Sequence, residues 1–100
     1  MATFDTITIK KPDDWHVHLR DGAMLSATAP LTARQFARAI IMPNLADPVT
    51  PAAAGADYRS RVIAAAGDVG EGAGFTPLMT CYLTDNTDVA DRRQGFTDGV

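Results

Sequence analysis

Asp14-Trp15-His16-Val17-His18-Leu19-Arg20-Asp21-Gly22 lies between a short apolar alternation, Ile7 and Ile9, and a helix-like run that begins near Ala23. If residues 14–20 are extended, alternate side chains point to opposite faces. His16, His18 and Arg20 then share one face, and Trp15, Val17 and Leu19 the other. The second face is apolar and requires packing. The first carries two imidazoles and a guanidinium, groups seldom placed together on a strand without a use.

Neutral imidazole is the commonest protein metal ligand. Two of them at i and i+2 on a strand can reach one ion, at roughly 2.0–2.1 Å each for zinc. Arg20, two residues further on, can present a planar fork of donors to a carboxylate. The chemistry suggested is metal-assisted attack on a substrate that also carries an anionic handle. A His-x-His pair by itself more often means two solvated histidines than a metal site. Arg20 in phase, Asp14 two residues before His16, and the Asp21-Gly22 turn favour the metal. Asp14 itself reads as a support for the strand rather than a ligand.

Outward from this stretch the chain alternates between strand and helix signals. Residues 6–10 alternate and predict a short leading strand, followed by a turn at Lys11-Pro12-Asp13. Residues 14–19 form the first main strand. Asp21 can cap a short helix carrying Met24 and Leu25, which Pro30 should end. Thr32 and Gln35 have capping-box spacing for one further turn. Arg38 to Met42 contains a continuous apolar run, as expected for a parallel strand covered on both faces. Thr50-Pro51 predicts a helix start, with Pro51 as its first residue, running to Ala66 and stopped by Gly67. Ala54, Tyr58, Val62 and Ala65 or Ala66 make its inward stripe, and Asp57 and Arg61 should pair on its surface. The glycine-rich residues 67–74 lack dinucleotide-fingerprint spacing and read as a linker. Phe75 to Leu83 predicts a third strand, Asp88 to Gln94 a short helix, and Gly95-Phe96 the approach to another strand. This order is that of βαβ units. It collects His16, His18, Arg20, Asn44, Tyr82 and Thr84 near the carboxyl ends of the strands, where such folds place their sites.

Composition is that of a globular chain, with 46% apolar and 21% charged residues, a net charge of −3 and a pI of about 5.1. No basic patch points to nucleic acid. The apolar runs are far short of a membrane span. Met1-Ala2-Thr3-Phe4-Asp5 shows no signal-peptide pattern. One cysteine, Cys81, excludes an internal disulfide and fits a reducing cytoplasm; it reads as a small buried apolar residue. Trp15 is expected to pack against helices.

Residues 14–22 resemble the first metal-binding motif of the dihydroorotases of the amidohydrolase superfamily. Ile41-Met42-Pro43-Asn44-Leu45 and Thr76-Pro77-Leu78-Met79-Thr80-Cys81-Tyr82-Leu83-Thr84-Asp85 are similar to two further stretches of the class II, bacterial-type members. The likeness runs from about Ile9 to Val100. It implies an α/β fold, the N-terminal portion of a (β/α)8 barrel. Such a barrel needs about 250 residues, so 100 hold about three of its strand–helix units. Residues 1–100 are read as the first part of one barrel domain with no internal boundary, inactive by itself and poorly folded if made alone.

The resemblance further implies that His16 and His18 bind the more buried of two zinc ions, and that Arg20 and Asn44 hold a substrate carboxylate. The reaction implied is reversible cyclisation of N-carbamoyl-L-aspartate to L-dihydroorotate in pyrimidine synthesis, by a cytoplasmic homodimer. The bridging carboxylated lysine, the further histidines and the proton-moving aspartate of that family find no match within 1–100. Lys10 and Lys11 precede the first main strand and are out of place. Two alternatives stay open: another cyclic amidase, such as a hydantoinase or dihydropyrimidinase, and a non-catalytic barrel-derived subunit. Arg20 and Asn44 speak against the first, because uncharged rings need no carboxylate clamp.

Overall fold

Arg38-Ala39-Ile40-Ile41 is apolar at three of four positions, and it forms the central strand of the sheet. Ala39 and Ile41 are fully buried, as a strand flanked by neighbours and covered by helices requires. The computed structural model describes residues 3, 5–67 and 74–100. Its elements alternate: β1 (Asp14–Val17), α1 (Gly22–Gln35), β2 (Arg38–Ile41), α2 (Ala52–Ala66), β3 (Thr76–Leu78) and α3 (Val89–Asp98). The strands form one parallel sheet in the order β1-β2-β3. The strand–helix alternation is the expected one. Among the described residues no helix is long and apolar enough to cross a membrane.

β1 is shorter than expected and irregular. Asp14 pairs with Ala39 and Val17 with Ile41, so three steps along β1 match two along β2. This bulge breaks the alternation of faces. Trp15 and His16 are both exposed in consequence, and Trp15 does not pack under helices. The Arg38 guanidinium lies 5.0 Å from the centre of its ring instead, held there by a fork to Asp13 at 3.1 and 2.6 Å. The predicted leading strand at 6–10 has no ladder; Ile7 and Ile9 alternate as expected but are exposed. β-propensity without a partner strand forms no hydrogen bonds.

α1 runs unbroken through Pro30, contrary to the expected stop. Proline removes one bond, to the carbonyl of Ser26. Ser26 is exposed, so water can take that acceptor, while Leu25, Ala29 and Ala33 hold the helix to the core. Asp21 caps the helix as expected, accepting from the Gly22 N–H at 3.0 Å.

α2 begins at Ala52, one residue later than expected, with extended Pro51 at the cap position. Its buried stripe is Ala52, Gly55, Tyr58, Val62 and Ala66, with Ala54 packed at the core's edge. Gly67 ends it. Asp57 and Arg61 do not pair; Arg61 reaches Asp21 instead, Nε to Oδ1 at 3.1 Å and Nη2 to Oδ2 at 2.9 Å. Residues 68–73, most of the predicted glycine-rich linker, and residues 1, 2 and 4 of the N-terminal stretch lie outside the described residues.

β3 covers only Thr76–Leu78, not Phe75 to Leu83. Pro77 lacks an N–H and sits on a strand paired on one side in the described sheet. Beyond Leu78 the Thr80 hydroxyl takes over, donating to the Ile41 carbonyl at 2.5 Å. α3 runs from its cap at Asp88 through Gly95 and Phe96 to Asp98, so this pair lies inside a helix rather than leading to a strand. Gly95 lets α3 approach α2 closely: a Cβ there would lie 3.0 Å from that of Ala52.

Candidate metal and substrate site

At the carboxyl end of β1, His16 Nε2 and His18 Nε2 are 3.1 Å apart, with ring centroids at 5.0 Å. Two nitrogens on one tetrahedral zinc, each at roughly 2.0–2.1 Å, are separated by about 3.3 Å. The pair therefore fits a shared ion. His18 Nδ1 lies 2.8 Å from Asn44 Oδ1, an oxygen that can only accept. That contact places the His18 proton on Nδ1 and leaves the Nε2 lone pair facing His16. Without an ion, His16 Nε2–H donates across the 3.1 Å gap; with one, both lone pairs can point at the metal. Among the described residues no group of three or more His, Cys, Asp or Glu side chains could hold a metal. Two imidazoles are one short of the three protein ligands a catalytic zinc keeps. Asp14 does not join them: its Oδ1 accepts from the His16 backbone N–H at 3.0 Å and fixes the bulge.

Arg20 reaches the same place by another route than the alternation predicts. Its φ is 62°, left-handed, so residues 14–20 are not extended throughout. This backbone costs a residue with a side chain about 1–2 kcal/mol. The turn brings Nη1 to within 3.3 Å of the Asn44 carbonyl oxygen. Asn44 thus joins the group at both ends, by its side chain to His18 and by its backbone to Arg20. With Oδ1 engaged, its amide nitrogen is the end left to meet a carboxylate. Arg20 and Asn44, with Asp21, Met24, Leu45 and Ala46, border an open surface cavity of about 280 Å³, which His16 and His18 do not line.

Tyr82 and Thr84 stand apart from this group. The Tyr82 backbone N–H donates to the Val49 carbonyl at 2.8 Å, and Thr84 closes a turn with Asn86 and Thr87. Cys81 is half-buried against the core, where burial pushes its thiol pKa up.

Sequence reading missed Tyr58 as a neighbour of the site. Its hydroxyl donates to the Arg20 carbonyl at 2.5 Å. Burial, with the Asp21 carboxylate adding, pushes its pKa up to about 12, so it remains a donor. In the sequence Tyr58 is one more residue of a helical stripe; nothing at local spacing links it to residue 20.

No family model matches the chain. Curated relatives do. A dihydroorotase of Erythrobacter litoralis is 60% identical over 96 residues, 96% of this chain and 27% of that protein. That of Novosphingobium aromaticivorans is 56% identical over the same share of each.

The chain matches the N-terminal part of the dihydroorotases.

Among solved structures, dihydroorotase from Campylobacter jejuni superposes with a TM-score of 0.78 at 39% identity, covering 90% of this chain and 25% of that one. Dihydroorotase from Saccharomyces cerevisiae, in complex with 5-fluoroorotic acid, gives 0.75 at 27% identity, covering 88% and 23%. The chain spans about a quarter of the length of the dihydroorotases it matches. Its parallel sheet and helices are the N-terminal portion of a (β/α)8 barrel.

Proposed function

We propose that these residues form the first quarter of a zinc-dependent dihydroorotase, which interconverts N-carbamoyl-L-aspartate and L-dihydroorotate as a cytoplasmic homodimer. The observation that carries the reading is the pair of facing Nε2 atoms on His16 and His18, oriented by Asn44. In this reading those two residues hold one metal ion, and Arg20 with the amide nitrogen of Asn44 binds the substrate carboxylate. Zinc, when bound, polarises the ring amide carbonyl and activates water. The chain's own residues orient: Asn44 sets the His18 tautomer, Asp14 fixes the strand beneath His16, and Arg20 supplies a charged fork. The complex of the yeast relative with 5-fluoroorotic acid, a ring bearing a carboxylate, supports a clamp of this kind. The lysine, histidines and aspartate that complete the reaction lie in this reading beyond residue 100, and dimerisation and compartment rest on the family resemblance alone.

The test is zinc content and dihydroorotate hydrolysis of the full-length product, with Arg20→Ala beside it. If Arg20 is the clamp, its loss should cost on the order of 2–5 kcal/mol of transition-state binding. An unchanged kcat/KM for dihydroorotate in that variant would remove Arg20 from the site; a zinc-free, inactive full-length protein would remove the reading.

A further inference from the structure

Arg20 is the only non-glycine residue with positive φ among the described residues. Such a conformation persists only where its surroundings hold it. Two contacts from α2 do so. Tyr58 Oη donates to the Arg20 carbonyl at 2.5 Å. Arg61 forks onto the next residue, Asp21, at 3.1 and 2.9 Å. Tyr58 and Arg61 are three residues apart, hence neighbours on one helix face. The Arg61 guanidinium lies 5.3 Å from the centre of the Tyr58 ring, so the two brace each other. Asp21 in turn caps α1. Residues 20 and 21 are thereby gripped between two helices, and the direction of the Arg20 side chain follows from that grip.

The ring of Tyr58 is fully buried and belongs to the core. Phenylalanine would supply the same apolar packing. The hydroxyl adds one thing only, a donor to the carbonyl of the residue with the unusual backbone.

We propose that Tyr58 is a positioning residue, whose hydroxyl keeps Arg20 in its left-handed turn so that the guanidinium stands beside Asn44. The proposal rests on the reading of Arg20 as the carboxylate clamp. It predicts that Tyr58 acts on substrate affinity through Arg20, and not on zinc.

The experiment uses the full-length enzyme carrying Tyr58→Phe, Arg20→Ala, or both. Tyr58→Phe keeps the ring and its packing. It should raise KM for dihydroorotate about five- to tenfold, with kcat changed less than about twofold and zinc content unchanged. In the Arg20→Ala background it should raise KM no further, because the group it positions is gone. A crystal structure of Tyr58→Phe should show Arg20 out of the left-handed region or its guanidinium away from the Asn44 carbonyl. An unchanged KM, the same rise in both backgrounds, or an undisturbed Arg20 in the crystal each overturns the proposal. If Arg20→Ala alone leaves KM unchanged, the clamp reading falls, and the crystal alone decides whether Tyr58 sets the conformation of Arg20.

Discussion

His18 Nδ1 and Asn44 Oδ1 sit 2.8 Å apart, joining a histidine at the end of β1 to the loop after β2. The amide oxygen decides which ring nitrogen carries the proton, and so which one can take a metal. Without it the imidazole can adopt either tautomer and rotate. Asn44→Ala in the full-length enzyme should weaken zinc binding about 10–100-fold, as loss of such an orienting partner does elsewhere. Competition with a chromophoric chelator measures this. Asn44→Asp keeps an acceptor and should lose less. Wild-type zinc affinity in the alanine variant would show that Asn44 leaves the ring's orientation to other groups.

Ala52 begins α2, and its N–H donates to Asp91 Oδ2 of α3 at 2.9 Å. The helix has no cap of its own, since Pro51 has no side-chain acceptor. Its cap is supplied from α3, a device that ties the start of one helix to the first turn of the next. Asp91→Ala should destabilise by about 1 kcal/mol. The loss is reinforced because Arg92, whose Nε is already buried without a partner, also gives up its Asp91 contact at 2.9 Å. Asp91→Asn should recover part of it. Urea midpoints of the three full-length proteins decide; equal midpoints would show that the contact adds nothing.

Local patterns carried the sequence reading as far as local physics reaches. The continuous apolar run at Ala39-Ile40-Ile41, the cap at Asp21, the stop at Gly67 and the helical stripe through Tyr58 and Val62 are all decided within a few residues, and all appear in the fold. His16 and His18 adjoining Asn44 were also legible, because strand ends of βαβ units converge. What escaped reading depends on distant partners. The β1 bulge is set by register against β2, Pro30 is tolerated because Ala29 and Ala33 are held by the core, and Arg61 prefers Asp21, 40 residues away, to Asp57 at helical spacing. The left-handed turn at Arg20 belongs with these, since its hydroxyl partner comes from another helix.

The Asp21–Arg61 pair should give a definite pH signature. The Arg61 fork foremost, helped by the Gly22 N–H, holds the Asp21 carboxyl below its ordinary value of 3.8, against an opposing push from partial burial. A depressed carboxyl stabilises the folded state at all pH above 3.8 and loses that contribution as pH falls through the folded-state value. Both side chains are more than a third exposed, at 47% and 39%, so solvent screening limits the pair to about 0.5 kcal/mol. The stability gap between wild type and Arg61→Gln should therefore be level from neutral pH down to about 5 and narrow below 3.8, where only the stacking on Tyr58 is left. Urea titrations of the full-length proteins across that range measure it. A gap as wide at the acid end as at neutral pH would show that Arg61 does not stabilise by holding the Asp21 carboxylate.

A polypeptide of these 100 residues alone should not fold cooperatively. Its radius of gyration is 15.9 Å, against about 13 Å for a compact domain of this length. Large apolar side chains stand open, among them Phe96 at 81% and Leu83 at 76% exposure. β1 and β3 each pair on one side only within the described sheet, leaving rows of backbone donors and acceptors for another chain to take. The buried set, Leu19, Leu25, Ile41, Val49, Tyr58, Val62 and four alanines, is small for a sheet covered on one side. Thermal scans of the isolated chain should show a broad or absent transition, with binding of an apolar dye and aggregation at micromolar concentration. A sharp two-state transition from a monomer would instead show that the β1-β2-β3 sheet and its helices are an autonomous folding unit, and that the exposed faces are not what the rest of a barrel must cover.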